Sequence, residues 1–281
     1  MLKSIVVALD GSDSSANAQA LALEAGKRTG AELIGIGVLD VPWITAPRST
    51  PIGGGTFQAH RNETLLEQGR EAIRERVAAF RKTCEAAGVD CGAIGTEGDP
   101  VEQIDKEADR HDMIIIGSQT NFHGGEEHEI GETVERLLKD TPRPLMIAPE
   151  NMASNSDADK VVVAFDGSVT ASRAMHMFLL LGLAEGREVH VVSIDPDEAV
   201  AQGLAERGVA LFRSYGIKAE ANGLAHKGSD ASAILGAVAG LNAGRLVIGA
   251  LGHEGFIKRL FMGSTTRELI RGANIPVFVH H

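Results

Sequence analysis

The feature that most constrains the fold is an internal repeat, because two similar segments in one chain indicate two similar domains. The segment VVALDGS at 6–12 returns as VVAFDGS at 162–168. Later in each copy, IIIG at 114–117 returns as LVIG at 246–249. The 281 residues are also the right length for two domains of ordinary size. We therefore predict domain 1 at 1–149, a polar and turn-rich linker at 150–159, and domain 2 at 160–281.

Within each copy, short apolar runs alternate with stretches of helical periodicity. The runs have the length of buried strands, and such alternation predicts an α/β fold whose parallel sheet has helices on both faces. The Pro- and Gly-rich stretch 41–56 predicts a loop. In copy one the predicted strands are 3–9, 33–39, 91–95, 113–116 and 144–148; in copy two they are 161–165, 188–194, 217–224, 245–249 and 275–280.

The repeated motifs both fall where strands end. Asp10 and Asp166 follow the first strand of each copy, and Gly117 and Gly249 close the fourth. In open α/β sheets, ligands bind beyond the carboxyl ends of the strands, at the point where the strand order reverses. If the first and fourth strands are neighbours, both motifs of a copy face one crevice.

In the second copy this crevice also receives a glycine-rich loop. Gly249 and Gly252 follow the strand, and Gly263 and Ser264 precede a helical pattern. A strand, a Gly-rich loop and a helix N-terminus together are typical of phosphate binding, because free backbone N–H groups and the positive end of the helix dipole point at the anion. Ser264 is expected to cap the helix, and His253 adds a basic group to the loop.

Charge and hydrophobicity exclude several classes of function. The net charge of −11 argues against a nucleic-acid partner. No apolar run reaches the ~18 residues of a membrane span, and the amino-terminal sequence lacks the pattern of a signal peptide, so a cytoplasmic protein without membrane insertion is expected. The charge is concentrated in the first half, since residues 1–150 hold 25 acidic and 15 basic residues. The second half is therefore better suited to an anionic ligand.

The two motifs together resemble the universal stress protein family. A strand that ends in Asp-Gly-Ser and a late G-x2-G-x9-G-[ST] loop occur in both copies in modified form, so the chain resembles a tandem member. The resemblance implies two Rossmann-like domains of the adenine nucleotide alpha hydrolase type, each with a five-stranded parallel sheet. It also implies that the domains pair through their last strands as an intrachain pseudo-dimer, and further homodimerisation is an alternative.

In one branch of the family the resemblance implies ATP binding. The glycine loop would hold the phosphates, with Mg²⁺, and the end of the first two strands would line the nucleoside pocket. We therefore expect one adenine nucleotide site per chain, in domain 2, with no catalytic residues and no protein metal ligands. The expected site residues are Ala164, Asp166, Ser193, Ile248, Gly249, Gly252, His253, Gly263, Ser264 and Thr265.

Both copies depart from the family pattern. In copy two, ten residues instead of nine separate Gly252 from Gly263. In copy one, Thr120 replaces the second glycine, and Glu132 stands where Ser264 stands in copy two. The first loop also carries a carboxylate cluster, which would repel a triphosphate. We expect no ATP at this site; its acidic loop is a solvated face or, alternatively, a cation site formed by Glu126, Glu127, His128 and Glu129.

The preferred hypothesis is an ATP-binding regulator of the stress response, with unknown protein partners and no strong chemistry of its own. A second hypothesis is an interaction module of the same fold in which both loops have lost the ability to bind a nucleotide. The extra residue before Gly263 favours it. A third is a slow ATP hydrolase, although nothing in the sequence positions a water or supplies an arginine finger.

Overall fold

In the computed structural model, residues 1–47, 55–123, 130–154, 157–250 and 264–281 are described. Across these residues, ten strands form one continuous sheet in the order β3-β2-β1-β4-β5-β10-β9-β6-β7-β8. The strands are β1 (Ser4–Ala8), β2 (Glu32–Asp40), β3 (Cys91–Gly98), β4 (Met113–Gly117), β5 (Leu145–Ala148), β6 (Asp157–Ala164), β7 (Glu188–Asp195), β8 (Ala219–Ala225), β9 (Ala243–Gly249) and β10 (Val277–His280).

The helices follow the strands in the predicted alternation. They are α1 (Asp13–Thr29), α2 (Val41–Thr45), α3 (Gly55–Ala87), α4 (Pro100–Ala108), α5 (Glu132–Asp140), α6 (Val169–Leu180), α7 (Glu198–Ser214), α8 (Asp230–Leu241) and α9 (Ser264–Gly272). Along the described parts of the chain, no helix is long and apolar enough to cross a membrane.

The sheet confirms the predicted fold class. All pairings within each half are parallel, and β5 and β10 join the halves in antiparallel register, with Phe278 opposite Met146. The pairing through the last strands is therefore as expected. In each half the first strand lies beside the fourth, β1 beside β4 and β6 beside β9. The strand order thus reverses between the first and the fourth strand of each half, and the repeated motifs lie at the ends of these two strands.

Both faces of the sheet are buried. Along β1, Ile5 and Val7 belong to one hydrophobic cluster, while Val6 and Ala8 belong to the cluster on the opposite face. Successive side chains of a strand point to opposite faces, so a strand buried on both sides must be apolar throughout. For this reason the strands occur in the sequence as uninterrupted apolar runs.

Two local predictions need correction. The stretch 41–56, predicted as a loop, contains the short helix α2, whose first turn is capped by the carboxylate of Asp40 accepting from the N–H of Trp43. The strand β6 begins at Asp157 instead of Val161, within the stretch predicted as a linker. The first residues of β6 are mostly polar and give no apolar pattern, so the sequence does not predict them as part of a strand. The part of the expected loop at 48–54 lies outside the described residues.

Candidate functional site

A crevice of about 440 Å³ opens at the carboxyl ends of β6 and β9 in domain 2. This is within the ~300–1,000 Å³ typical of small-molecule sites. Strand ends, the first turn of α6 and the first turn of α9 surround it. Its described lining residues are Ala164, Phe165, Asp166, Ser168, Thr170, Ala171, Val192, Ile194, Asp195, Leu204, Asp230, Ile234, Ile248, Gly249, Ser264, Thr265, Thr266 and Leu269.

Asp166 lies at the mouth of the crevice with its carboxylate exposed to solvent. One carboxylate oxygen, Oδ1, accepts a hydrogen bond from the backbone N–H of Ser168 at 2.9 Å. Ser168 in turn caps α6, because its Oγ accepts from the N–H of Ala171 at 3.1 Å. The motif Asp-Gly-Ser therefore turns the chain from strand to helix and leaves the carboxylate at the crevice.

The N-terminus of α9 supplies the anion-attracting side of the crevice. Ser264, Thr265 and Thr266 are the first three residues of this helix and all line the crevice. Their backbone N–H groups belong to the first turn, which has no intrahelical acceptors. The prediction that Ser264 caps this helix stays a prediction, because the residues before it lie outside the described part of the chain. The expected loop residues Gly252, His253 and Gly263 lie outside the described residues.

Gly249 is where the strand passes closest to the neighbouring helix. A Cβ atom at this position would lie 2.5 Å from the backbone N of Ala171 and 2.7 Å from the carbonyl carbon of Thr170. Gly117 of domain 1 meets the backbone of Ser14 and Ser15 at 2.5 and 2.6 Å in the same way. Both glycines are therefore required by packing between strand and helix, whatever ligand each crevice takes.

The other expected residues divide into two groups. Ala164 and Ile248 line the crevice. Ser193 does not lie among the described lining residues, because its side chain is 1% exposed and its Oγ donates to the carbonyl of Phe165 at 2.6 Å. The hydroxyl thus ties β7 to the end of β6 behind the crevice wall.

Sequence reasoning did not single out two acidic residues of the crevice, Asp195 and Asp230. Asp195 ends β7 and accepts a hydrogen bond from the N–H of Asp197 at 2.8 Å; Asp230 is the first residue of α8. Asp195 had a detectable signal, since Asp40 also ends the second strand of the first copy. Asp230 had none, because its approach to the crevice depends on how α8 packs against the sheet.

In domain 1 the corresponding crevice is filled by the protein itself. Asp10, the counterpart of Asp166, is only 9% exposed. Its Oδ1 accepts from the N–H and the Oγ of Ser12, and its Oδ2 accepts from the N–H of Asn121 at 2.8 Å. A chain segment that follows β4 therefore covers Asp10 at the strand ends of domain 1; the matching segment of domain 2 lies outside the described residues.

Aromatic and charged contacts hold this segment in place. The ring of His123 stacks on Trp43 at a centroid distance of 4.9 Å. Its Nδ1 lies 3.0 Å from Oδ2 of Asp40, and its Nε2 lies 3.7 Å from a carboxylate oxygen of Glu132. The chain then returns to the strand end, where the N–H of Gly131 donates to the carbonyl of Ser118 at 2.8 Å. Residues 124–129, which include the acidic cluster considered for a cation, lie outside the described residues.

Residues at matching positions of the two crevices differ in their exposure to solvent. Ala8 is fully buried and Thr133 is 3% exposed in domain 1, whereas Ala164 and Thr265 at the same places in domain 2 are half-buried. Ile130 belongs to a hydrophobic cluster that extends through both domains, and Phe122 packs against this cluster. Ala8 and Thr133 of domain 1 are therefore more deeply buried than their described counterparts in domain 2.

Comparisons with known proteins agree with this architecture. The sequence profile of the universal stress protein family matches residues 1–149 and again 158–281. The chain is 23% identical over 289 residues to universal stress protein Slr1230 of Synechocystis sp., covering 98% of this chain and 99% of that protein. It is 31% identical over 150 residues to universal stress protein MJ0531 of Methanocaldococcus jannaschii, covering 52% of this chain and 82% of that protein.

A solved structure shares the complete fold. The crystal structure of a universal stress protein from Archaeoglobus fulgidus superposes with a TM-score of 0.73 at 23% identity, covering 99% of this chain and 97% of that one. The two profile matches cover nearly all of the sequence and coincide with the two halves of the sheet. The chain therefore belongs to the universal stress protein family and carries two of its domains in tandem.

Proposed function

We propose that domain 2 binds ATP with Mg²⁺, one nucleotide per chain, and that the protein acts as a nucleotide-responsive regulator of the stress response. The observation that carries this proposal is the lining of the domain 2 crevice, where the exposed Asp166 and the first residues of α9 border one space of about 440 Å³. The counterpart of Asp166 in domain 1, Asp10, is instead buried and accepts a hydrogen bond from the N–H of Asn121.

The lining suggests how a nucleotide would be oriented. The N-terminus of α9, with Ser264 and Thr265, is suited to the phosphates because its N–H groups and dipole favour negative charge. The strand end with Ala164 and Ile248 is apolar and suits a base, while Asp166 is placed to accept hydrogen bonds from a nucleoside. In this proposal Gly252, His253 and Gly263 complete the phosphate site, and Ser193 supports the wall from behind.

Glu132 supplies a physical reason for one site per chain. It occupies the first position of α5, where Ser264 stands in α9. A carboxylate at a helix N-terminus is itself favoured by the dipole and repels a second anion there. The filled crevice and this built-in charge act in the same direction, so we propose that domain 1 takes no ATP.

The proposal concerns binding, not turnover. A ligand that binds one conformation more tightly than another shifts the population toward the first. The described lining offers carboxylates and hydroxyls but no cationic side chain to stabilise a transferring phosphoryl group. We therefore propose that the nucleotide sets the conformation that an unknown partner protein recognises in the cytoplasm.

Thermal unfolding with and without ATP and Mg²⁺ tests the proposal. Binding to the folded state alone stabilises it by about 2.7 kcal/mol when the ligand is at a hundred times its Kd, which is a measurable rise in Tm. The variant Ser264→Glu copies the carboxylate of domain 1, and we expect it to abolish the ATP-dependent rise. The protein should still fold, because an acidic residue is tolerated or favoured in the first turn of a helix.

Two matched variants control for shape and for location. Ser264→Gln has nearly the size of the glutamate without its charge and should keep most of the rise. Glu132→Gln removes the corresponding charge in domain 1 and should leave the rise unchanged. An ATP-dependent rise that survives in Ser264→Glu would show that the nucleotide binds elsewhere.

The same samples separate the two alternatives. The absence of any rise with millimolar ATP, together with no nucleotide released on denaturing the purified protein, would select the interaction module. The additional residue before Gly263 is the feature that favours it. Steady release of inorganic phosphate that disappears in Ser264→Glu would select the slow hydrolase.

A further inference from the structure

A second cluster of side chains that can ligate a metal lies at the amino-terminal ends of β7 and β8. The crevice of domain 2 lies at the carboxyl ends of the strands, on the opposite edge of the sheet. Glu188 and His190 are two residues apart on β7 and share one face of the strand, and Glu220 on β8 is paired with His190 in the parallel register. The Nε2 of His190 lies 3.8 Å from Oε1 of Glu188, and its Nδ1 lies 3.8 Å from Oε2 of Glu220. One ligand atom from each residue can be chosen so that all three lie within 4.8 Å of one another.

His190 is the unusual member of this cluster. Its side chain is 6% exposed, and neither ring nitrogen makes a hydrogen bond to the described residues. A buried polar group without a partner costs roughly 1–3 kcal/mol, so such groups are uncommon unless something else satisfies them. Each ring nitrogen lies 3.8 Å from a carboxylate oxygen, which is too far for a hydrogen bond, and one of the two nitrogens can bind an ion together with both carboxylates.

We propose that Glu188, His190 and Glu220 bind a divalent transition-metal cation of the Zn²⁺ class. One imidazole nitrogen and two carboxylate oxygens form a donor set that Zn²⁺ and Co²⁺ accept, with water completing a tetrahedral shell. The ion satisfies one nitrogen of the buried imidazole and offsets the repulsion between the two carboxylates. This inference is independent of the proposed nucleotide site.

The geometry requires a small closure around the ion. Zinc lies about 2.0–2.2 Å from nitrogen and oxygen ligands, so ligand atoms in a tetrahedral shell are roughly 3.4 Å apart. The side chain of Glu220 is 56% exposed and can rotate inward by the closure that this needs, which is at most about 1.4 Å because the ligand atoms lie within 4.8 Å of one another. Glu188 also lines a cavity of about 450 Å³, which gives an ion access from solvent.

Lys218 competes with the ion for one ligand. Its Nζ lies 2.8 Å from Oε1 of Glu188, and its side chain is 66% exposed. An ammonium at this position neutralises the carboxylate and repels an incoming cation. Removing the lysine charge should therefore tighten metal binding, an effect opposite to the loss expected for a ligand variant.

Domain 1 supplies an internal control. The position that corresponds to Glu188 is Glu32, since Lys160 pairs with Glu188 as Ser4 pairs with Glu32. The positions of His190 and Glu220 hold Ile34 and Gly92, which are paired with each other in the same way. The repeated sheet thus presents a single carboxylate in one half and the three-residue cluster in the other.

Titration of the full chain with Co²⁺ tests the proposal, because the visible absorption of Co²⁺ reports its coordination and calorimetry with Zn²⁺ gives the affinity. We expect one ion per chain, with binding weakened roughly tenfold or more in Glu220→Gln, since losing a ligand costs at least as much as losing a supporting group. Lys218→Met should bind more tightly than the unmodified chain. Glu32→Gln should bind as the unmodified chain does.

His190→Gln should also lose the absorption bands; circular dichroism of this variant reports its folding, because the residue is buried. Glu220 is exposed, so Glu220→Gln keeps the test decisive even where His190→Gln unfolds. Co²⁺ or Zn²⁺ affinity that is equal in Glu220→Gln and the unmodified chain would overturn the proposal, as would weaker binding in Lys218→Met.

Discussion

Residues of the same type have different roles in the two halves of this protein because their surroundings differ. Asp10 and Asp166 stand at the same place after the first strand, and both accept a hydrogen bond from the backbone two residues on. Asp10 also holds Asn121 and is nearly buried, whereas Asp166 is exposed at a crevice. The motif itself therefore encodes a turn, and its surroundings decide whether it can meet a ligand.

Ser193 gives a test of this distinction at the residue scale. Replacing it with Ala removes the donor to the buried carbonyl of Phe165, and we expect the free energy of unfolding to fall by about 1–2 kcal/mol. Because the hydroxyl lies behind the crevice wall, the ATP-dependent rise in Tm should keep its size. Urea denaturation gives the first quantity and thermal unfolding with ATP the second. A variant of unchanged stability that has lost the ATP effect would place Ser193 in the site after all.

At the scale of elements, the contact between the fourth strand and the first helix of each domain fixes the shape of the crevice. The end of β9 passes so close to the first turn of α6 that a side chain cannot be placed between them. The same contact joins β4 to α1 in domain 1. The end of β9, the first turn of α6 and the turn before it are therefore held together. This arrangement positions the carboxylate of Asp166 relative to the N-terminus of α6.

The variant Gly249→Ala should separate these elements. Its Cβ would lie 2.5 Å from a backbone nitrogen that cannot move without displacing α6, so we expect a loss of about 1–3 kcal/mol in the free energy of unfolding. Gly236→Ala on α8 is the matched control, because nothing lies within 4 Å of its Cβ and alanine favours a helix interior by about 0.5–1 kcal/mol. Chemical denaturation of both variants measures the difference. Equal stability changes would argue against close packing at Gly249.

At the scale of the whole molecule, ionic contacts reinforce the junction between the domains. Glu24 on α1 of domain 1 lies 2.5 Å from Nη2 of Arg245 and 3.6 Å from Nη2 of Arg187, both in domain 2. The two arginine side chains are at most 7% exposed. Burial first, and then the charges of Arg245 and Arg28, lower the pKa of Arg187 to about 9. The carboxylate of Glu24 opposes this shift by favouring the charged guanidinium.

Replacing Glu24 with Gln should therefore destabilise the joined domains. Removing one partner of a fully buried ion pair costs about 3–5 kcal/mol; because Glu24 is 46% exposed and water can compensate in part, we expect about 1–3 kcal/mol. Glu32→Gln, an exposed carboxylate on β2, is the control and should change stability by less than about 0.5 kcal/mol. Urea unfolding of both variants measures this. A loss no larger than that of the control would mean that the contact contributes nothing to the junction.

The sequence by itself determined the order of the elements, the duplication and the parallel sheet, because strand and helix periodicity are local properties and both copies repeat them. It also placed Asp166, Gly249 and Thr265 at one sheet edge, since all of them follow strands or begin a helix. The sequence did not predict α2 or the start of β6, because polar residues or prolines there interrupt the hydrophobic periodicity.

Only the tertiary structure shows that Asp10 of domain 1 is covered by a distant part of the chain. Asn121 meets Asp10 across 111 residues of sequence, and His123 meets Asp40 across 83. Nothing periodic marks the residues at 121–123, and their stacking and hydrogen bonds exist only once α2, β1 and β4 have been brought together. The burial of Asp10 is therefore set by long-range contacts, which no local pattern in the sequence can specify.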